Sequence, residues 1–241
     1  SQCVLFYFCC KRKKILRIAV NTRFLIKNKL EGFGWYSYET MKRITQQHPE
    51  HEFIFIFDRT YHDDFIFSNN ITPVVAGPQA RHPVLFYIWY EFSVKKILKK
   101  YKADIFVSPD GYLSLSTNVP SLAVIHDINF EHHPEFMSVI NRKYYRHFFP
   151  KFAAKAKRIA TVSEYSKKDI INLYNIDPDK IDVTYNGSNE AYQPVDKVAA
   201  EQTREQYSNA CPYFLFVGAL APRKNIGNQL KAFDQFKKEK K

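Results

Sequence analysis

A histidine and an aspartate stand together in the middle of the chain, directly after an apolar run. The run 120–125 ends at His126 and Asp127. A histidine at the end of a strand can hydrogen-bond a substrate hydroxyl, with its tautomer set by a nearby acceptor. We therefore interpret His126 and Asp127 as candidate catalytic residues. The alternative is a structural histidine beside an aspartate that caps the following turn.

Glycines also follow predicted strands elsewhere in the chain. Gly32 and Gly34 lie between the first predicted strand and its helix, and three others each follow a later strand: Gly111, Gly187 and Gly218. In an open parallel sheet the carboxyl ends of the strands form the ligand crevice, where glycine allows close backbone approach. Gly32 and Gly34 could therefore bring helix amides to a phosphate or a sugar hydroxyl. A plain strand-to-helix turn remains the alternative.

Two cations lie in the loop that links the last predicted strand to the last helix. Arg223 and Lys224 follow Gly218 and directly precede Asn225 at the start of that helix. The positive end of a helix dipole disfavours cations, so an anion such as a diphosphate bound between them would explain their presence. Solvated surface side chains are the alternative.

Two other kinds of site are weaker interpretations. A metal site could combine His126 and Asp127 with three residues that follow them, Glu131, His132 and His133, but this spacing matches no established ligand pattern. A nicotinamide dinucleotide could bind the Gly32–Gly34 loop with Asp58 on its ribose. That fingerprint turns immediately after its strand, whereas here a stretch of chain intervenes and Ser37 takes the third glycine position.

The elements that must position these residues alternate along the chain. Short β-rich runs are separated by amphipathic stretches, as is typical of βα units around a parallel sheet. We predict an α/β fold, a Rossmann-like parallel sheet with helices on both faces. The predicted strands are 15–20, 52–57, 71–76, 104–108, 120–126, 158–162, 181–184 and 213–217. The predicted helices include 35–47, 83–100 and 226–240.

Two helical segments have apolar stripes that we expect to be buried. Within 83–100 the stripe consists of Leu85, Ile88, Trp89 and Phe92. Within 137–157 it consists of Met137, Ile140, Tyr144, Phe148 and Phe152, and the same segment carries basic residues. Helical spacing of this kind indicates one face packed on the sheet.

The pattern predicts four parts. Residues 1–14 form a leader that we expect to be disordered, with a weak membrane contact as the alternative because an apolar run precedes a basic cluster. Residues 15–187 form a Rossmann-like domain, and 188–210 a linker. Residues 211–241 begin a second domain, and one strand with one helix cannot bury a core alone.

Composition narrows the class of protein. A chain of 241 residues with 45% hydrophobic content is not intrinsically disordered. Its net charge of +12 indicates an anionic partner, which could be nucleic acid, acidic lipid or a phosphorylated small molecule. The cysteines include no C-x-x-C pair, so we expect a reducing, cytoplasmic compartment. We expect no nucleic-acid partner, because the aromatics fall at core-facing spacing and no basic-aromatic RNA signature occurs.

Five motifs in order resemble the family-4 retaining glycosyltransferases of the GT-B fold. They are Gly-Phe-Gly at 32–34, Val-Ile-His-Asp at 124–127, Thr-Val-Ser-Glu-Tyr-Ser-Lys at 161–167, Tyr-Asn-Gly at 185–187 and, at 216–225, Phe-Val-Gly followed by Pro-Arg-Lys-Asn. The resemblance implies two facing domains, the first for the acceptor and the second for a nucleotide sugar, with no metal required.

The resemblance also implies roles for single residues. Gly32 and Gly34 approach the donor phosphate or the acceptor, and His126 contacts the transferred sugar. Arg223 and Lys224, with Gly218, receive the leaving diphosphate, and the cleft is lined by Ser163, Glu164, Asn186 and Gly187. Ala219 stands where many relatives have arginine. The paired glutamates of the donor domain are expected beyond residue 241.

These implications give one expected function. It is transfer of a hexose, with retention, from a nucleotide-diphospho-sugar to a glycan or lipid-linked acceptor, in surface polysaccharide or glycolipid synthesis. GDP-mannose is favoured slightly over a UDP-sugar. We expect the 241-residue chain alone to be inactive, and the segment 137–157 to touch an anionic membrane at the inner face of the plasma membrane. The alternatives are a nicotinamide-binding oxidoreductase domain and a basic nucleic-acid-binding module.

Overall fold

Seven parallel strands form the framework of the protein. The computed structural model describes residues 15–188 and 192–239, so the predicted leader 1–14 lies outside the described residues. The strands are β1 (Arg17–Asn21), β2 (Glu52–Phe57), β3 (Ile71–Val75), β4 (Ile105–Ser108), β5 (Ser121–Val124), β6 (Arg158–Thr161) and β7 (Ile181–Val183). Each matches a predicted strand to within two residues at either end.

The strand order is β3-β2-β1-β4-β5-β6-β7, and every neighbouring pair is parallel. β1 lies at the centre, where Val20 is opposite Phe55 of β2 and Val107 of β4. All carboxyl ends therefore meet at one edge, which carries the segments after Asn21, Ser108 and Val124. We refer to this as the carboxyl edge.

Eight α-helices are formed by the described residues. They are α1 (Gly32–Gln47), α2 (Pro83–Ile88), α3 (Lys95–Lys100), α4 (Asn129–His132), α5 (Val139–Lys155), α6 (Glu164–Tyr174), α7 (Lys197–Ser208) and α8 (Ile226–Glu239). A π-helical turn, Trp89–Val94, joins α2 to α3 without a break. α1 begins three residues earlier than predicted, at Gly32 itself.

Alternate residues of the strands serve two separate hydrophobic cores, because successive side chains point to opposite faces of a sheet. On one face Val20 and Phe55 pack with Met41 of α1. On the other, Ala19 and Phe106 pack with side chains of the remaining helices of the domain, among them Trp89, Leu98, Phe152 and Ile170. The predicted fold class, with helices on both faces, is confirmed.

The predicted buried stripe of 83–100 is partly wrong. Trp89 is fully buried, but Phe92 is 63% exposed, and the buried residues continue instead through Tyr90, Val94 and Ile97. The cause is the π-helical turn, which has more residues per turn than an α-helix and rotates the following side chains around the axis. Periodicity at three and four residues does not predict such a turn.

The stripe of 137–157 also needs one correction. Tyr144 and Phe152 are buried, and Met137 and Phe148 pack partly against the core, but Ile140 is 58% exposed. The first turn of α5 does not join the core, because the packing against α2 begins at Tyr144, whose ring lies 5.7 Å from that of Phe86.

The chain divides into two compact units, Ser1–Asn186 and Gly187–Lys241. Within the second unit the segment predicted as a linker contains helix α7, and the predicted helix 226–240 is confirmed as α8. The predicted strand 213–217 is wrong: these residues have no strand conformation, and Phe214, Leu215 and Val217 are at least 75% exposed. A strand needs a hydrogen-bonded neighbour, and the described part of this unit supplies none.

Candidate functional site

His126 lies at the carboxyl edge, two residues after the end of β5. Its Nε2 atom is 2.9 Å from the carbonyl oxygen of Pro109, which follows β4. A carbonyl oxygen only accepts, so Nε2 carries the hydrogen, and in the neutral ring Nδ1 is the acceptor. Burial lowers the pKa of His126, against opposing effects of the Pro109 hydrogen bond, Asp110 and Asp127. The neutral imidazole is therefore favoured.

The loop before α1 reaches the same place. The ring of Phe33, between the two glycines, lies 4.8 Å from the imidazole of His126, and the ring of Tyr36 lies 4.7 Å from it. The first amides of a helix have no partner inside the helix. The fold thus brings the start of α1 beside His126, whereas the sequence predicted only that both lie at the carboxyl ends of the strands.

The two glycines of this loop have different surroundings. A Cβ atom at Gly34 would lie 2.8 Å from the carbonyl oxygen of Phe24, so close packing within the chain already requires glycine there. Gly32 is exposed and has open space where a side chain would be. Packing is thus sufficient to explain Gly34, and ligand contact by either glycine stays a prediction.

The other predicted residues of the first unit are mostly part of turns. Asp127 is exposed and accepts a hydrogen bond from the backbone amide of Asn129 at 3.0 Å. Ser163 caps α6 by accepting from the amide of Ser166 at 3.1 Å, and Glu164 is exposed in the first turn. Asn186 is exposed after β7. These residues follow β5, β6 and β7, so they share the carboxyl edge with His126.

A buried ion pair joins the segments that follow β1 and β4 at the carboxyl edge. Arg23 Nε donates to Asp110 Oδ2 at 2.6 Å, and the two side chains are only 6% and 1% exposed. The guanidinium also lies against three rings, at 4.5 Å from Phe24, 4.9 Å from Phe86 and 4.6 Å from Tyr112. Burial, the largest single effect, would lower the pKa of Arg23, but the charge and hydrogen bond of Asp110 together with the neighbouring Tyr90 and Tyr112 outweigh it, so the pKa is raised.

The Asp110 carboxylate also accepts hydrogen bonds from three other side chains. Asn21 Nδ2 donates to its Oδ1 at 2.9 Å, and Ser108 Oγ does so at the same distance. The hydroxyl of Tyr90, from the π-helical turn, lies 3.3 Å from both carboxylate oxygens. This network ties the ends of β1 and β4 together and fixes the turn that begins at Pro109, the residue that binds His126.

Residues of the two alternative sites, one for a nicotinamide dinucleotide and one for a metal ion, already have other partners in the structure. Asp58, the candidate ribose acceptor, is buried and already accepts from Arg59 at 2.6 and 2.8 Å and from the amide of Ala80 at 2.8 Å. His132 binds Asp169 and His133 binds Glu135, so the adjacent histidines do not converge. Within residues 15–188 and 192–239 no three histidine, cysteine or acidic side chains could hold a metal ion together.

Four predicted site residues belong to the second unit. Gly187 and Gly218 are exposed, and a 3₁₀ turn, Pro222–Lys224, contains both Arg223 and Lys224. This turn ends two residues before α8 begins. The two cations are exposed and close to a helix N-terminus, the arrangement that the sequence predicted, and diphosphate binding by them stays a prediction.

Comparison with known proteins identifies the family. The model of Glycosyltransferase Family 4 matches residues 31–192, which include α1, β2–β7 and His126. This chain belongs to glycosyltransferase family 4. The family membership that the motifs indicated is thereby confirmed. The matched region includes the seven candidate residues of the first unit, which are Gly32, Gly34, His126, Asp127, Ser163, Glu164 and Asn186.

Curated relatives are longer than the family-4 chain. It is 26% identical over 219 residues to O-antigen chain mannosyltransferase B of Escherichia coli, covering 86% of this chain and 57% of that protein. It is 28% identical over 163 residues to O-antigen chain mannosyltransferase RfbU of Salmonella typhimurium strain LT2, covering 67% of this chain and 42% of that protein. The chain thus spans about half the length of these relatives.

Solved structures agree on the fold. Anabaena Alr3699/HepE in complex with UDP-glucose has a TM-score of 0.53 and 14% identity, covering 81% of this chain and 50% of that one. The complex of the same protein with UDP and glucose gives a TM-score of 0.52 and 13% identity, covering 81% and 51%. At this identity the likeness establishes a shared architecture only.

The sequence did not reveal the aromatic contacts of His126 or the Arg23–Asp110 pair. One signal for the pair was present: Arg23 follows β1, Asp110 follows β4, and these strands are adjacent in a Rossmann-like order. Opposite charges at neighbouring strand ends are a reasonable search pattern. The contact of Phe33 with His126 had no such signal, because it depends on the path of the loop before α1.

Proposed function

We propose that this chain provides the acceptor-binding domain of a retaining glycosyltransferase and begins its donor-binding domain. The reaction is transfer of a hexose from a nucleotide-diphospho-sugar to a glycan or lipid-linked acceptor, in surface polysaccharide or glycolipid synthesis. One observation carries the proposal: in a family-4 chain, a neutral His126 at the carboxyl edge keeps Nε2 on Pro109 and leaves Nδ1 as an acceptor.

Sugar hydroxyls fit this edge chemically. A hydroxyl of the transferred sugar can donate to Nδ1 of His126, while the first amides of α1 can donate to a hydroxyl or a phosphate oxygen. Gly32 allows such an approach because the space beside it is open. Ser163, Glu164, Asn186 and Gly187 would line the cleft, with Asp127 supporting the His126 loop.

The reaction mainly requires stabilisation of the negative charge on the leaving diphosphate. Breaking the bond between a sugar and a diphosphate releases negative charge, which cations and helix amides stabilise in the transition state. We assign this role to Arg223 and Lys224, with Gly218 allowing backbone approach. No metal or other cofactor is invoked.

Retention is proposed without a carboxylate nucleophile. Asp110 is buried and paired with Arg23, and Asp127 bonds the amide of Asn129. Neither is a close partner carboxylate of the kind that a double displacement needs. We therefore propose front-face transfer, in which the acceptor attacks from the side that the diphosphate leaves.

The donor is proposed to be GDP-mannose, ahead of a UDP-sugar. Both curated relatives are named as mannosyltransferases, whereas the Anabaena structure contains UDP-glucose. The relatives act on O-antigen chains by name, which supports a polysaccharide or lipid-linked glycan as the acceptor.

We also propose that the chain works in the cytoplasm, at the inner face of the plasma membrane, through the first turns of α5. Phe136, Val139 and Ile140 are 40–58% exposed, and Lys143 and Lys151 are exposed further along the helix. Apolar side chains beside lysines suit an anionic lipid surface. No helix in the described residues is long and apolar enough to cross a membrane.

Vesicle flotation tests the membrane role. Replacing Lys143 by Glu should weaken binding to anionic vesicles by about fivefold or more, since one basic residue near such a surface contributes about 1 kcal/mol. The matched control is Lys168→Glu, an exposed lysine on α6. Equal binding to anionic and neutral vesicles by the unaltered chain would contradict this role.

The transfer itself is tested with the polypeptide extended through a donor domain. We expect label from GDP-[14C]mannose to enter a lipid-linked glycan, with the anomeric configuration of the donor retained in the product by NMR. UDP-[14C]glucose serves as the comparison donor. Failure to transfer from every nucleotide sugar, with a folded protein and added lipid-linked glycans, would contradict the proposal.

A further inference from the structure

The imidazole of His126 contacts two aromatic rings from one helical turn. Phe33 and Tyr36 are three residues apart in α1, so their side chains project from the same side of the helix. The ring centroids lie 4.8 and 4.7 Å from that of His126, with interplanar angles of 76° and 83°. Both contacts are edge-to-face, an arrangement that aromatic rings favour.

The third contact of the imidazole is a hydrogen bond from its Nε2 atom. The carbonyl of Pro109 accepts the Nε2 hydrogen at 2.9 Å, and no other hydrogen bond to this imidazole is formed by the described residues. Two ring contacts and one hydrogen bond together restrict the rotation of the imidazole. The carbonyl is itself fixed, since the next residue, Asp110, is buried with Arg23.

We propose that Phe33 and Tyr36 are positioning residues, whose rings hold the His126 imidazole in the plane and tautomer that present Nδ1 as a hydrogen-bond acceptor. The inference rests on the proposed function only for the nature of the donor, a sugar hydroxyl. The position of the rings explains why an aromatic residue stands between the two glycines of the loop.

Two nearby carboxylates oppose the neutral form of the His126 imidazole. Asp110 from the β4 turn and Asp127 beside β5 each raise the pKa of His126, yet burial lowers it overall. From α1 the titratable neighbour is Tyr36 itself, whose pKa burial raises in spite of hydrogen bonds to Thr184 and Thr40. Both rings contact the imidazole directly, so we expect them to contribute to this burial and thereby to favour the neutral form beside two carboxylates.

The test measures the tautomer directly in the 241-residue chain labelled with ¹⁵N-histidine. Long-range ¹H–¹⁵N correlation distinguishes an Nε2–H from an Nδ1–H imidazole, and His126→Gln assigns the signals. The variants are Phe33→Leu and Tyr36→Leu. The matched control is Tyr36→Phe, which keeps the ring and removes only the hydroxyl.

We expect the unaltered chain and Tyr36→Phe to show the Nε2–H pattern, with a titration midpoint below the ordinary value for histidine. In both leucine variants the nitrogen signals should move toward the average of the two tautomers. Their midpoint should rise toward the ordinary value of about 6.5. Unchanged signals and midpoints in the leucine variants would overturn the proposal, as would an Nδ1–H pattern in the unaltered chain.

If Tyr36→Leu does not fold, Phe33→Leu still tests the proposal. We expect Phe33→Leu to fold because Phe33 is 40% exposed and leucine leaves no buried cavity there. The measurement uses no sugar. A chain with the expected tautomer that supports no transfer would refute the proposed function alone, whereas unresponsive tautomers would refute only the role of the rings.

Discussion

Replacing Asp110 by Asn should destabilise the protein severely while changing the shape of the side chain very little. The substitution removes the negative charge from a pair whose side chains are 6% and 1% exposed. Arg23 would then remain as a buried cation among three rings, with no counter-charge. Breaking a buried ion pair in this way costs about 3–5 kcal/mol.

That cost corresponds to a large thermal shift. In a protein of this size, 1 kcal/mol lowers the midpoint of unfolding by about 2–4 °C, so we expect a fall of about 6–20 °C. Thermal unfolding followed by circular dichroism measures the midpoint, and urea unfolding measures the free energy separately.

The matched control is a surface pair. Arg17 and Glu52 are 3.1 Å apart, but their side chains are 46% and 61% exposed. Glu52→Gln should therefore cost about 1 kcal/mol or less. The double variant Arg23→Met with Asp110→Leu should be more stable than Asp110→Asn, because no buried charge is left unpaired. A loss in Asp110→Asn no larger than in Glu52→Gln would refute the reasoning.

Three further predictions concern the carboxyl edge. Gly34→Ala should destabilise the fold by about 1–3 kcal/mol because its Cβ meets the Phe24 carbonyl, whereas Gly32→Ala, in open space, should change stability by less than about 0.5 kcal/mol in urea unfolding. Gly111→Ala should cost about 1–2 kcal/mol, since φ is 83° there, and equal stability in thermal melts would contradict this. The pKa of His126 is lowered in the folded state, so the unfolded state binds the proton more readily. Stability should therefore fall as the pH drops below about 6.5, and His126→Gln should flatten that part of the pH profile.

The sheet was predictable because each strand is a short apolar run with a turn signal after it. Seven runs became strands, and the eighth, 213–217, did not, since a run forms a strand only where a neighbour accepts its hydrogen bonds. The buried stripe of 83–100 was wrong at Phe92 because the π-helical turn Trp89–Val94 rotates the side chains around the helix axis, and periodicity at three and four residues does not predict such a turn.

The candidate site was predictable in position but only partly in detail. Strand ends placed His126 at the carboxyl edge, and His126 lies within the region that the family model matches. Its partners Pro109, Phe33 and Tyr36 come from distant parts of the sequence, so only the folded structure joins them. Likewise, the packing of Gly34 against Phe24 is a tertiary contact that a Gly-Phe-Gly motif does not disclose.

The most direct test of the account is the transfer rate after loss of the His126 acceptor. The measurement is kcat/KM for transfer from GDP-mannose to a lipid-linked glycan, by the polypeptide extended through its donor domain, with and without His126→Ala. A hydrogen bond worth about 1.5 kcal/mol predicts a loss of about tenfold or more with the fold intact. An unchanged kcat/KM in a folded His126→Ala variant would contradict the claim that this edge binds the transferred sugar.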